Sequence, residues 1–153
     1  MEGRPLAICF GTRPQVIKAS ILIEAAAPHW PLLTVDTGQH YDYEMNAIFL
    51  EQLGVAPPSH FLEVGSGSHA DQTAAILTRL TPILERVKPW AMIVIGDTNS
   101  NLGCAMAAAY LHIPIVHVEA GIRDAHITRP GRRDREPGAR ARSQLARQRC
   151  ECR

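Results

Sequence analysis

The sequence predicts an α/β fold, a parallel sheet with helices on both faces. Three observations predict it. Apolar runs and helical segments alternate as βα, βα, (β)α, βα, β, and that alternation belongs to parallel sheets. The stretch from Ala91 to Gly121 reads as a complete strand–helix–strand unit. The chain also opens on a strand, a glycine turn and a helix. No internal repeat and no domain boundary is evident before residue 130.

Each element has its own grounds. Pro5 to Phe10 is a short apolar run with β character, ending at Gly11-Thr12-Arg13-Pro14. Pro14 suits the first position of a helix, with Thr12 or Arg13 before it. That helix runs to about Ala27, with Val16, Ile17, Ile21 and Ile23 forming its apolar faces, and Pro28 and Pro31 bound its end. Leu32 to Val35 is the second strand, stopping at Asp36-Thr37-Gly38-Gln39-His40. Tyr41 to Leu53 is helical, with Met45, Ile48, Phe49 and Leu53 on one face, and Gly54 closes it. Pro57 to Ser68 is a loop with a short strand at His60 to Val64. Asp71 to Val87 is the next helix, with Ile76, Leu80, Ile83, Leu84 and Val87 facing the core. Pro82 within it predicts a kink. Ala91 to Ile95 is a strand that stops at Gly96-Asp97-Thr98. A small-residue helix, Asn99 to Leu111, leads to a last strand, Ile113 to Val118, which stops at Glu119-Ala120-Gly121.

The totals bound the class. A chain of 153 residues is long enough for one domain with a real core. Its net charge of +1 hides an asymmetry. Residues 1–130 hold eight Lys and Arg against twelve Asp and Glu, whereas residues 131–153 hold eight Arg against three acids. The two parts are therefore read separately. Cys9 and Cys104 fall in core segments and Cys150 and Cys152 in the tail, so no disulfide framework is expected, and no Cys/His set has zinc-ligand spacing. No basic-then-apolar leader and no apolar run of membrane-spanning length is present. The expected localisation is cytoplasmic, with no membrane partner.

Asp97 and Glu119 are the first candidates for chemistry, because each closes a strand and strand C-termini are where parallel α/β sheets bind ligands. The plainer alternatives are a helix N-cap for Asp97 and a loop salt bridge for Glu119. Arg13 stands at a helix N-terminus after a glycine turn, a natural anion site, with Lys18 a turn and a half further in. The pair reads as a phosphate or carboxylate clamp, or else as two surface cations. The motif is neither a P-loop nor the GxGxxG fingerprint. His40 falls at a strand end and is a candidate binding residue or a hydrogen-bonded loop residue. His112 and His117 read as structural, and His69 as a residue that caps or precedes the Asp71 helix. No histidine pairs with a Ser or Cys in a recognisable nucleophile arrangement.

Several motifs occur in one order: Phe10-Gly11-Thr12-Arg13-Pro14, Ile17-Lys18, Thr37-Gly38-Gln39-His40, Gly96-Asp97-Thr98 and His117-Val118-Glu119-Ala120-Gly121. With them the chain strongly resembles the N-terminal half of the non-hydrolysing UDP-N-acetylglucosamine 2-epimerase family, over about residues 5–130. Val64-Gly65-Ser66-Gly67-Ser68-His69 and Gly96-Asp97-Thr98-Asn99-Ser100 look like one branch of it. The resemblance implies a GT-B type architecture of two Rossmann-like domains, with this chain carrying the N-terminal one. It implies an isomerase that turns UDP-GlcNAc into UDP-ManNAc by eliminating UDP and adding it back, for cell-surface polysaccharide precursors. It implies no metal and no nicotinamide, and it suggests a homodimer. It places catalytic roles on Asp97 and Glu119, Arg13 and Lys18 near the nucleotide, and His40 near the sugar.

The chain departs from the family pattern in three places. Gln15 stands where Glu is common, a tolerable change. Ile95 replaces the usual His or Tyr before Gly-Asp-Thr, which alters the pocket wall and not the carboxylate. After Arg129-Pro130 the family's acidic residues and Asn-Arg pair, with a further catalytic glutamate, are replaced by an Arg-rich stretch. Removing one base from a possible coding sequence of Pro130 to Gly138 restores Pro-Glu-Asp-Glu-Ile-Ala-Asn-Arg, so a frameshift near codon 131 is the expected origin of the tail. The resulting organisation is a Rossmann-like domain over 1–130, a disordered tail over 131–153 and no C-terminal UDP-binding domain. The chain by itself is then expected to be inactive or nearly so. The competing readings are a non-catalytic UDP-sugar-binding remnant and a GT-B glycosyltransferase-like half. Nucleic-acid binding by the tail is not expected, since it has no aromatic for stacking and no recognisable binding fold.

Overall fold

A computed structural model describes residues 3–38 and 50–121. The chain divides into one compact unit through Val118 and a second from Glu119. In the first unit, five strands form a single sheet: β1 (Leu6–Phe10), β2 (Leu32–Asp36), β3 (His60–Phe61), β4 (Ala91–Ile95) and β5 (Ile115–Val118). Their spatial order is β3-β2-β1-β4-β5, and every pairing is parallel. Three described helices connect them: α1 (Arg13–Ala26), α2 (His69–Val87) and α3 (Asn99–Tyr110). The fold class is the one expected.

The period-2 alternation of strand side chains builds a core on each face. On one face, Leu6, Ile8 and Phe10 of β1 pack with Val16, Ala19 and Ala26 of α1. On the other, Ala7 and Cys9 pack with Ile76, Leu80 and Leu84 of α2 and with Cys104, Ala107 and Ala108 of α3. β1 is therefore buried along its whole length, as a central parallel strand must be. The small residues of α3 let α2 approach closely. A Cβ on Gly103 would lie 2.8 Å from two carbons of Ile76, closer than real Cβ atoms come.

Several boundaries move, each for a local reason. α2 begins at His69, two residues before the expected Asp71, because Ser68 is its N-cap. Ser68 Oγ accepts from the Asp71 N–H at 3.1 Å and donates to Asp71 Oδ2 at 2.6 Å. The helix runs through Pro82 and ends at Lys88, whose backbone is left-handed. β3 stops at Phe61 rather than Val64, and Glu63 takes a φ of 52° that ends the extended run. β5 starts at Ile115 rather than Ile113. The Ile113 N–H is spent on Ala108 O at 2.9 Å, closing α3, and Pro114 has no N–H to offer. On α1, Ile17 and Ile21 lie exposed instead of facing a core. Of the helix expected from Tyr41, residues 50–52 are described and helical, and Gly54 closes them with a φ of 68°. The rest of that helix, Gln39, His40 and the tail lie outside the described residues. Among the described residues, no helix is long and apolar enough to cross a membrane.

Two tests follow from this packing. Gly103→Ala should lower the unfolding free energy by about 1–3 kcal/mol, read from urea titration against the parent chain. The second concerns Cys104, whose thiol is pushed well above its usual range by its hydrogen bond with Cys9 and then by burial. The folded chain holds this proton more tightly than the unfolded chain. Its contribution is therefore complete below the ordinary thiol value of about 8.5 and is lost as pH rises beyond it. Cys104→Ala should flatten the decline in stability between about pH 8.5 and 10, measured as the pH dependence of the urea midpoint.

Candidate active site

The strand order puts the sheet's topological switch point between β1 and β4. From β1 the chain moves to β2 on one side, and from β4 it moves to β5 on the other. Open α/β sheets bind ligands outside the strand C-termini at such a point. The two turns there are Gly11-Thr12-Arg13 after β1 and Gly96-Asp97-Thr98 after β4. β1 and β4 are direct neighbours, with Cys9 opposite Val94, so both turns leave one edge side by side. Arg13 and Asp97 are exposed there, and Lys18, further along α1, is half-buried.

The β1 turn is pressed tightly into the protein. A Cβ on Gly11 would collide with the hydroxyls of Thr37 and Ser100. Those hydroxyls hydrogen-bond each other at 2.7 Å, tying the residue after β2 to the first turn of α3. The end of β2 is set by Asp36, whose Oδ1 accepts from the Gly38 N–H at 2.8 Å. Thr12 is the N-cap of α1 and Arg13 its first residue, so Pro14 takes the second helical position instead of the first.

The β4 turn is held from several sides. Gly96 adopts a φ of 79°, and its N–H donates to Val118 O at 3.0 Å. His117 Nε2 lies 2.6 Å from Gly96 O. A carbonyl only accepts, so this ring nitrogen carries the proton. His117 thus pins the β4 turn, in keeping with the structural reading of this residue. The Asn101 side chain brackets Ile95: its Oδ1 accepts from Ile95 N–H at 3.2 Å, and its Nδ2 donates to Ile95 O. Thr98 is the N-cap of α3, so the capping alternative for Asp97 does not describe this turn.

Gln15 connects the two turns. Its Oε1 accepts from the N–H groups of Gly11 and Thr12 at 2.9 and 3.1 Å. Its Nε2 donates to Ile95 O at 2.7 Å and to Thr98 Oγ1 at 2.8 Å. The residue read as a tolerable replacement for Glu therefore uses its amide nitrogen as well as its oxygen.

Glu119 opens the second unit directly after β5. It is half-buried and takes a φ of 69°, a left-handed backbone that costs a non-glycine residue roughly 1–2 kcal/mol. His40 lies outside the described residues.

Sequence reasoning missed the polar groups that build this edge. Asn99, Ser100 and Asn101, at the start of α3, are all buried. Asn99 Nδ2 donates to Gln72 Oε1 at 2.7 Å and to His69 Nδ1 at 2.6 Å, while Gln72 Nε2 reaches Gly65 O at 2.8 Å. The available signal was three consecutive polar residues opening an otherwise apolar helix, since buried polar side chains need partners.

Comparison with known proteins gives consistent results. A family model described as UDP-N-acetylglucosamine 2-epimerase matches residues 25–132. A UDP-2,3-diacetamido-2,3-dideoxy-D-glucuronate 2-epimerase from Pseudomonas aeruginosa is 42% identical over 122 residues, covering 78% of this chain and 34% of that protein. A UDP-N-acetylglucosamine 2-epimerase from Methanocaldococcus jannaschii is 40% identical over 121 residues, covering 77% of this chain and 32% of that protein. The crystal structure of the Methanocaldococcus jannaschii enzyme in complex with UDP-GlcNAc and UDP matches with a TM-score of 0.74 at 40% identity, covering 78% of this chain and 33% of that one. The Neisseria meningitidis enzyme bound to UDP-GlcNAc matches with a TM-score of 0.77 at 30% identity, covering 92% of this chain and 38% of that one. The chain spans about a third of the length of the curated relatives it matches.

The bracket around Ile95 can be tested directly. Asn101→Leu keeps the volume and removes both side-chain bonds to the Ile95 backbone. It should destabilise the chain by about 1–3 kcal/mol, read by urea unfolding, and Asn101→Asp, whose buried carboxylate would face the Ile95 carbonyl, should also destabilise it at neutral pH.

Proposed function

The chain belongs to the UDP-N-acetylglucosamine 2-epimerase family, and from that membership we propose that it serves to invert C2 of a UDP-linked 2-acetamido sugar, taking UDP-GlcNAc to UDP-ManNAc. In this reading its sheet is the N-terminal Rossmann-like domain of a GT-B type architecture. The observation that carries the proposal is the switch point, where a turn bearing Arg13 and a turn bearing Asp97 leave neighbouring strands at one edge. The relatives crystallised with UDP-GlcNAc support the nucleotide sugar as ligand. The Pseudomonas aeruginosa relative, named for a diacetamido uronate, supports the wider substrate class.

The chemistry needs few groups. The C2 proton of the sugar is weakly acidic, so a positioned base has to remove it. As it leaves, the C2–H electron pair becomes the C1–C2 double bond and the C1–O bond to UDP breaks with its pair on oxygen. The return step protonates C2 from the other face while a UDP oxygen attacks C1. Neither step of this route transfers a hydride, so the route itself calls for no nicotinamide. Asp97 and Glu119 are proposed to carry the proton steps. Arg13, at the positive end of α1, and Lys18 are proposed to offset the diphosphate charge that develops on the leaving group. His40 is proposed to lie by the sugar.

The test is carried out in D2O on the natural polypeptide that contains these residues. UDP-GlcNAc should gain deuterium at C2 and UDP-ManNAc should accumulate. Asp97→Asn and Glu119→Gln should each slow that exchange by about a hundredfold or more. Arg13→Ala should weaken UDP binding by about tenfold or more. Recovery of the substrate with its C2 proton intact from the parent polypeptide would overturn the proposal.

A further inference from the structure

We propose that Gln15 is a positioning residue of this site, its one buried amide locking the Arg13 turn to the Asp97 turn across the switch point. The inference rests on the roles given to Arg13 and Asp97 above. It is carried by how completely the amide is used. A glutamine side chain offers two lone pairs and two N–H donors, and here all four are engaged. Gly11 and Thr12 present N–H groups, which can meet only the oxygen. Ile95 presents a carbonyl, which can meet only the nitrogen. The orientation of the amide is therefore fixed by its partners. The side chain is 4% exposed, so water does not compete for these bonds.

The partners stand at telling places. Gly11 and Thr12 immediately precede Arg13, and Gln15 is the third residue of the helix that Arg13 begins. Ile95 and Thr98 flank Gly96-Asp97, so a single NH2 group grips the chain on both sides of the candidate carboxylate. The contacts bridge 80 and 83 residues of sequence. Gln15 acts only through the two turns, and their spacing passes through its amide. Being an amide, it also keeps its grip at every pH. A carboxyl at this position would donate to Ile95 O only while protonated.

The experiment uses the full chain with Gln15→Glu and Gln15→Met, followed by 1H–15N spectra between pH 4 and 8 and by titration with UDP. In Gln15→Glu, the amides of Gly11 and Thr12 and those of Gly96 and Thr98 should shift with one common midpoint. That midpoint should lie above the ordinary Glu value of about 4.3, because only the protonated form completes the bridge. UDP affinity relative to the parent should fall by about tenfold across it. Gln15→Met should bind UDP about tenfold more weakly at every pH, a level that removal of one set of charge-positioning bonds would give. Gly11 and Thr12 shifting while Gly96 and Thr98 stay still would overturn the proposal, as would UDP affinities equal to the parent in both variants. A parent chain that does not bind UDP would count against the roles of Arg13 and Lys18, and the common midpoint would still decide whether Gln15 couples the turns.

Discussion

The carbonyl of Ile95 is where the site edge is made. It ends β4 at a buried position, where a backbone acceptor left unpaired would cost about 1–3 kcal/mol. It receives two side-chain amides, from Gln15 and from Asn101. One comes from the helix that follows β1 and the other from the helix that follows β4. Satisfying one backbone group therefore ties together α1, β4 and α3. With Gly96 fixed to Val118 and His117 on the far side, the turn that carries Asp97 is anchored on both flanks, through Gln15 to the end of β1 and directly to the end of β5.

That arrangement depends on small residues. The Thr37–Ser100 hydroxyl pair can close over the β1 turn only because Gly11 has no side chain. On the face behind, α3 reaches the sheet with Cys104, Ala107 and Ala108, and α2 lies against it over Gly103. Tight packing on that face fixes the start of α3, where Asn99, Ser100 and Asn101 are buried. The polar frame at the strand ends is thus a consequence of close apolar packing below it, because side chains held in unique positions make geometric hydrogen bonds possible.

The architecture was legible because its signals are local. Apolar runs that stop at glycine, such as Phe10-Gly11 and Ile95-Gly96, marked the strand ends, and the order of elements implied parallel pairing. Asp97 became a candidate because strand C-termini are where ligands bind, and Arg13 because a helix N-terminus after a glycine turn is an anion site. The frame beneath them was not legible. Gln15 looks like one polar residue in the first turn of a helix until the fold sets Ile95 and Thr98 against it, 80 and 83 residues away. The shift of β5 from Ile113 to Ile115 was hidden for a related reason. Hydrophobicity marks Ile113 as buried, which it is, but its N–H goes to α3 and not to the sheet.

The backbone at Glu119 carries an independent argument. A left-handed φ of 69° suits glycine and disfavours Glu. The chain has a glycine two residues on, at Gly121, yet Gly121 is not among the glycines with positive φ. If Val118 merely led into a loop, placing the glycine at position 119 would remove a strain of roughly 1–2 kcal/mol. Strained non-glycine residues cluster at functional sites, and this one stands directly after a strand C-terminus, at the residue proposed above to take part in proton transfer. The same reasoning separates Glu119 from Lys88 and His112, which also take positive φ. Both of those close helices, where a left-handed residue completes the cap by letting its N–H reach back into the last turn. Glu119, like Glu63 after β3, follows a strand and has no helix to close, so the positive φ of these two residues is not a helix cap.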